Sequence, residues 1–246
     1  MIYDANGNKV ERRYRMSIFD WLVILAVAEV AFFASCSPAL AIDPRCPQPA
    51  GLFSSSVVSG ANVVCLVDVP TPTSYALWAV PAVGAPVRLS PEMTADRDVI
   101  AFVVSGDRVA YTADPTRWTQ YELFSVPLWG GSPVKLSGSM PSDNDVDDFA
   151  FADDGWRVVY RKGRNATGVW NLFSVPVTGG GSVQLSQANM SAVQRGFQVR
   201  GDLVRFAQDP SGSGVATWYA APVVGGAVWT EIFTDGFESG NQGGWR

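Results

Sequence analysis

The sequence contains no histidine. That absence removes the Ser-His-Asp triad, the Cys-His dyad, the HExxH zinc site and any imidazole pH switch. Lysine is scarce: Lys9, Lys135 and Lys162 stand against 15 arginines. The only cysteines are Cys36, Cys46 and Cys65, without the CxxC spacing of zinc or redox sites. Charged residues make up 17% of the chain and their balance is acidic, net −5. That balance argues against a nucleic-acid binder that works by neutralising phosphates. After residue 41 no segment has the period of a helix of useful length. What is present is apolar residues, 47% of the total, too many for a disordered chain. Glycine (24) and proline (16) together exceed average usage, as in turn-rich folds. A length of 246 residues allows one large domain or two small ones with a sizeable core.

Residues 1–41 differ from the rest. Arg12, Arg13 and Arg15 precede an apolar run from Trp21 to Ala34, followed by Pro38 and Ala39-Leu40-Ala41. These are the basic, apolar and small-residue regions of a secretory signal, with cleavage expected after Ala41. Two other readings stay open. One is lipidation of Cys36 in a lipobox-like Phe33-Ala34-Ser35-Cys36. The other is an uncleaved anchor, which Glu29 in mid-span and Pro38 disfavour. Met16 is a second candidate start. All of these readings place the body outside the cytoplasm, periplasmic, secreted or membrane-anchored. Cleavage leaves Cys46 and Cys65, which in an oxidising compartment are expected to form one disulfide, about 3 kcal/mol in the chain-entropy model. The alternative is two free, buried thiols.

Self-comparison reveals four repeats. Tyr121–Ser137 recurs as Trp170–Ser186, with looser copies at Tyr75–Ser90 and Thr217–Trp229. The marker prolines Pro81, Pro127, Pro176 and Pro222 are spaced by 46, 49 and 46 residues. Gly60, Gly106, Gly155 and Gly201 each lie 21 residues before their proline, at the head of an apolar strand. The three extra residues between the second and third copies are expected in a loop at Ser142–Asp145. The repeats span about residues 51–90, 91–137, 138–186 and 187–231 of a body covering 42–231. Each reads as four short strands, in the third copy Asp148–Ala152, Arg157–Arg161, Trp170–Pro176 and Ser182–Ser186, with glycine-rich turns between them. One face of the third strand carries an aromatic-plus-small stripe: Trp78 and Val80, Phe124 and Val126, Phe173 and Val175, Tyr219 and Ala221. We read that stripe as packing between neighbouring sheets. Repeats of this length with four strands each predict an all-β fold, a β-propeller-like array of four four-stranded blades. A closed ring is the favoured expectation; an open arc, or a homodimer covering its end blades, is the runner-up.

The pattern Asp154-Gly155-x-x-Val158-x-Tyr160, then Leu172-Phe173-x-x-Pro176-x-x-Gly179-Gly180, then Leu185-Ser186, resembles the WD40-like repeat of TolB-type β-propellers. The resemblance covers about residues 51–231. It implies the blade fold and a place in the bacterial envelope, and it does not carry over a partner. The tail, residues 232–246, reads Ile232-Phe-Thr-Asp-Gly-Phe-Glu-Ser-Gly240 before Trp245. It resembles a short C-terminal sequence of many otherwise unrelated secreted bacterial proteins, which implies sorting or surface attachment. A closing strand with a frayed end is the other reading.

Catalytic chemistry is poorly represented, and no catalytic residue is assigned. Asp143, Asp145 and Asp147 have the D-x-D-x-D start of a calcium loop. Asp148 stands where such a loop needs glycine, so a solvated acidic loop is the simpler reading. Calcium is the only cofactor candidate. Asp98 and Asp147, which occupy equivalent repeat positions by marker spacing, are the candidates for a carboxylate-dependent glycan hydrolase. A Ser-Lys mechanism would need Lys135 or Lys162, and neither stands out. Asn165 and Asn189 open sequons that matter only in a eukaryotic secretory pathway. The expectation is an exported binding or scaffolding module with a protein or polysaccharide partner in the envelope. It has no nucleic-acid role and meets the membrane only through its N-terminal segment. A glycan hydrolase and a calcium-stabilised structural domain are the alternatives.

Overall fold

The computed structural model describes residues 45–46, 54–70, 73–93, 97–117, 120–164, 168–187, 192–209 and 215–230. The expected signal segment with Cys36, both sequons and the C-terminal tail lie outside the described residues. Among the described residues no helix is long and apolar enough to cross a membrane.

Among the described residues sixteen strands form four antiparallel sheets, each a simple meander. Sheet 1 holds β1 (Ser54–Ser59), β2 (Asn62–Pro70), β3 (Thr73–Val80) and β4 (Val87–Arg88). Sheet 2 holds β5 (Val99–Ser105), β6 (Arg108–Ala113), β7 (Glu122–Pro127) and β8 (Val134–Lys135). Sheet 3 holds β9 (Asn144–Phe151), β10 (Arg157–Arg164), β11 (Val169–Pro176) and β12 (Val183–Gln184). Sheet 4 holds β13 (Gln198–Arg200), β14 (Leu203–Gln208), β15 (Thr217–Pro222) and β16 (Trp229–Thr230). The third copy thus starts its first strand four residues earlier than its sequence suggests and shortens its last to two.

Alternation along the strands gives each sheet two apolar faces, and these bury one another. Val64, Leu77 and Leu89 of sheet 1 pack on Val109, Tyr111 and Val126 of sheet 2. Ala110, Leu123 and Leu136 of sheet 2 pack on Val158, Tyr160 and Val175 of sheet 3. Val159, Leu172 and Leu185 of sheet 3 pack on Val204, Phe206, Tyr219 and Ala221 of sheet 4. The stripe on the third strands is therefore inter-sheet packing. It is reinforced by stacked rings at one position per sheet: Tyr111–Phe124, Tyr160–Phe173 and Phe206–Tyr219, with centroids 5.5, 5.6 and 5.8 Å apart. Sheet 1 has Cys65 where the others have the first ring. Cys65 is bonded to Cys46, with Cα atoms 5.8 Å apart, and the disulfide joins Val63, Val67 and Val80 in a cluster on the outer face.

The recurrent Leu-Ser ending of each copy is a latch. Leu89, Leu136 and Leu185 donate to the carbonyls of Leu77, Leu123 and Leu172. The N–H groups of those same three leucines donate to Ser90, Ser137 and Ser186 Oγ at 3.0, 3.3 and 3.0 Å. Each serine thus satisfies a buried strand-edge donor. Ser186→Ala strands the Leu172 N–H, and we expect a loss of about 1–2 kcal/mol in urea unfolding.

The paired-glycine turns set the spacing between sheets. A side chain at Gly130, Gly179 or Gly225 would meet Val87, Val134 or Val183 Cγ1 of the preceding sheet at 2.7, 2.8 or 2.4 Å. All three also have φ between +87° and +91°. By register, ring closure would bring Trp229 against Gly84. Trp229 is instead 49% exposed, and only Pro81 comes within 4 Å of a side chain built at Gly84. Among the described residues the buried clusters join sheet 1 to 2, 2 to 3 and 3 to 4, and none joins 4 to 1.

The length difference between copies is not at 142–145. One residue enters the turn after β7, where Gly130-Gly131 replaces a single glycine. Two enter the β9–β10 hairpin, whose loop runs from Asp153 to Trp156, while the β5–β6 loop is only Gly106-Asp107. The register therefore aligns Asp98 with Asp145, not with Asp147. Asp98 Oδ1 accepts from the Tyr75 N–H and Asp145 Oδ1 from the Tyr121 N–H, each at 2.9 Å.

Candidate binding surface

Each meander places two kinds of connection at opposite ends. One end carries the β2–β3 type turns and the links between sheets. The other carries the short hairpins after the first and third strands. The two ends differ in chemistry.

At the link end the charged residues are structural. Asp145 holds Tyr121 as described, and Asp98 also receives a partner, since its N–H donates to Asp114 Oδ1 at 2.6 Å. Asp147 occupies a bulge in β9, which turns its carboxylate toward Arg161 of β10. Arg195 Nε reaches the same carboxylate at 2.8 Å. Arg161 also donates to the Val193 carbonyl at 2.7 Å and lies 4.3 Å over the Trp170 ring. Asp148 Oδ2 accepts from the Gly196 N–H at 2.9 Å. Together these groups strap the link between sheets 3 and 4. Asp143, Asp145 and Asp147 are not gathered, and among the described residues no three acidic or cysteine side chains form a metal-holding group. Asp98 and Asp147 belong to different links and do not form a paired acid and base.

Lys135 and Lys162 are also engaged. Lys135 pairs with Glu122 at 2.5 Å. Lys162 donates to the Ser137 carbonyl, not to its hydroxyl, at 3.2 Å and lies 4.7 Å from the Phe173 ring centre. Burial, and then the charge of Lys135, lowers the Lys162 pKa. Among the described residues no Ser-Lys pair is assembled.

Burial pushes the Asp148 carboxyl above its ordinary range. The Gly196 N–H works against that shift, Asp147 adds to it, and Arg161 and Arg195 oppose it. A raised folded pKa means that folding favours the protonated acid. That contribution is complete below the unfolded carboxylate value and is lost as pH rises through the folded one. Asp148→Asn mimics the protonated state at every pH. We expect the variant to match the wild type near pH 4 and to be slightly more stable at pH 7, by under about 1 kcal/mol. Urea midpoints at the two pH values check this.

The hairpin end displays apolar groups. Val83, Trp129 and Val224 occupy one equivalent position at the tips of the third-to-fourth-strand turns and are 92%, 67% and 67% exposed. Trp156, in the lengthened β9–β10 hairpin, is 70% exposed. Asp107, Asp153, Asp154 and Asp202 surround these tips. Asp153 and Asp154 cap the N–H groups of Gly201 and Trp156. Exposed tryptophans at turn tips, rimmed by carboxylates, are the chemistry of a candidate contact surface. A cavity of about 290 Å3 opens here at the seam of sheets 1 and 2, lined by Asn62, Pro81, Val87, Gly106, Asp107, Leu128 and Trp129. By sequence Pro81 and Gly106 are repeat markers only, and none of these residues stood out as a binding group. The signal available was an aromatic in a turn with no aromatic at the matching place in other copies.

No family model matches the chain, and no curated protein matches it. Solved structures do. The β-propeller domain of the Trilobed protease from Pyrococcus furiosus aligns with TM-score 0.51 and 14% identity, over 74% of this chain and 55% of that one. A puromycin-hydrolysing peptidase from Mycobacterium tuberculosis aligns with TM-score 0.51 and 17% identity, over 74% of this chain and 29% of that one. A putative TolB from Agrobacterium tumefaciens aligns with TM-score 0.43 and 16% identity, over 70% of this chain and 61% of that one. The chain spans less than two thirds of each of these structures. Its four sheets are blades of a β-propeller fold.

Proposed function

We propose that the chain is an exported, non-catalytic binding or scaffolding propeller of the bacterial envelope, holding a protein or polymer partner at the hairpin end of its blades. The observation that carries this reading is the contrast between the two ends. The carboxylates and lysines that could do chemistry are tied into blade links, while Trp129 and Trp156 stand out at turn tips. The TolB-like repeat pattern and the signal-like N-terminus support the envelope setting. The exported form is expected to begin after Ala41, with no lipid on Cys36 and with Cys46 and Cys65 joined. Intact mass under non-reducing conditions reads all three.

Affinity capture from cross-linked envelopes tests the binding role. The double variant Trp129→Ser, Trp156→Ser is expected to lose a partner that the wild type retains, by about tenfold or more, the scale of aromatic anchors at interfaces. Its melting temperature should be unchanged, because both side chains are exposed. Full retention of the partner overturns the reading. So does hydrolysis of an envelope polysaccharide that Asp98→Asn or Asp147→Asn abolishes.

A further inference from the structure

The seam cavity has an internal template. At the seam of sheets 2 and 3 the matching place is filled by Arg108. Its Nε donates to Ser125 Oγ at 3.3 Å, and its Nη2 crosses to the Val177 carbonyl of sheet 3 at 3.3 Å. At the next seam Arg157 repeats the anchor, its Nε donating to Ser174 Oγ at 2.8 Å. In sheet 1 both members of this pair are replaced. Asn62 stands at the arginine position and Ala79 at the serine position. By the same register Leu128 of sheet 2 corresponds to Val177. The short Asn62 leaves open the position that a guanidinium fills one seam further on, and Asn62 lines the cavity of about 290 Å3. Its size is at the lower end for ligand pockets, about 300 Å3, and suits a single side chain.

The lining suits a cation. Asp107 supplies a carboxylate, and Asn62 supplies an amide oxygen. Neither side chain has a hydrogen-bond or ion-pair partner among the described residues. Leu128 supplies the counterpart of the carbonyl that receives Arg108. Trp129 supplies an exposed indole face, the strongest of the aromatic partners for a guanidinium. Among the described residues no basic side chain lines the cavity; Arg45 lies nearby, donating to the Ala61 carbonyl at 3.4 Å. The net charge of −5 favours a basic partner at longer range.

We propose that this cavity receives an arginine side chain from a basic polypeptide partner, which takes the place that Arg108 holds at the next seam. The proposal rests on the binding role assigned above and names the partner's chemistry. The test uses the exported chain and a fluorescein-labelled Gly-Gly-Arg-Gly-Gly amide in about 150 mM salt, where weak surface electrostatics are screened. Fluorescence anisotropy is expected to give a dissociation constant below about 1 mM. The peptide with citrulline in place of arginine keeps the shape and loses the charge, and should bind at least about tenfold more weakly. Trp129→Ala and Asp107→Asn should each weaken arginine-peptide binding by about tenfold. The double variant Asn62→Arg, Ala79→Ser rebuilds the internal pair. It should abolish binding while its melting temperature holds or rises, which separates a plugged site from a misfolded one. The proposal is overturned by absent arginine-peptide binding, by equal binding of the citrulline peptide, or by binding that survives the plug. It is also overturned if a neutral chitohexaose binds instead in a Trp129-dependent way. If the peptide fails while envelope capture still depends on Trp129 and Trp156, the binding role stands and the arginine site falls.

Discussion

Asp147→Ala is expected to destabilise the protein by about 4 kcal/mol, because it leaves Arg161 charged and buried without its carboxylate. The side chains of Asp147 and Arg161 are only 12% and 9% exposed. Burial lowers the arginine pKa, and the Asp147 charge with its hydrogen bond is what holds it up. The Val193 carbonyl and the Trp170 ring remain but carry no counter-charge, and Asp148 supplies a weaker one than Asp147 does. For a chain of this size the loss corresponds to a fall in melting temperature of about 12 °C. The large effect would measure an abandoned charge and not the worth of the ion pair. The protein itself supplies the control. The bulge in β5 matches the one in β9, and there the two positions are Ile100 and Thr112. The double change Asp147→Ile, Arg161→Thr should therefore recover most of the lost stability. A single variant within about 1 kcal/mol of the wild type would sink the strap between sheets 3 and 4.

This pair also shows where the sequence was legible and where it was not. The paired Gly and Pro markers set the phase of four copies of four strands each, because hairpin turns and close blade contacts leave few residues acceptable at those points. The Leu-Ser latch was visible as a recurrence, although its hydrogen bonds were not. Marker spacing could not say where the extra residues of the third copy lie. It therefore matched Asp98 with Asp147, when the shared job of capping a tyrosine N–H belongs to Asp98 and Asp145. A bulge is a register event between two strands, and one strand's sequence does not display it. The acidic run 143–148 read as a loop because its charges outnumber its apolar residues, yet Val146 is buried and β9 begins at Asn144. The tryptophans divide the same way. Trp170 is buried, Trp129 and Trp156 are exposed, and composition cannot separate them. The seam cavity, by contrast, was written in the repeats. Arg108 with Ser125 and Arg157 with Ser174 change together to Asn62 with Ala79. Aligning the copies for differences instead of for similarity would have found it.

Gly163→Ala should lower stability by about 4 kcal/mol, at the upper end for adding one methyl group to a packed site. The added carbon would sit 2.3 Å from the Val169 carbonyl oxygen, 2.6 Å from Trp170 Cα and 2.7 Å from Trp170 Cδ2. The first two are backbone atoms, so no rotamer change relieves the overlap. Gly163 pairs with Trp170 on one side and with Asp145 on the other, so β10 cannot shift away from β11 without moving toward β9. The yielding motion is a displacement of Trp170, which removes the ring on which Arg161 rests. The change would thus reach the Asp147–Arg161 strap from its apolar side. Near-ultraviolet circular dichroism should report the displaced indole, and the melting temperature should fall by about 12 °C. Gly168→Ala is the matched control: its φ of +67° strains an alanine, but nothing lies within 4 Å, so about 1 kcal/mol is expected. Similar losses for the two variants would mean that the close approach of Trp170 is not what requires glycine at 163. Because Gly163 lies at the link end, peptide binding at the seam of sheets 1 and 2 should persist in the folded fraction of the variant. A loss of binding that ran ahead of unfolding would show that the two ends are coupled through the blades.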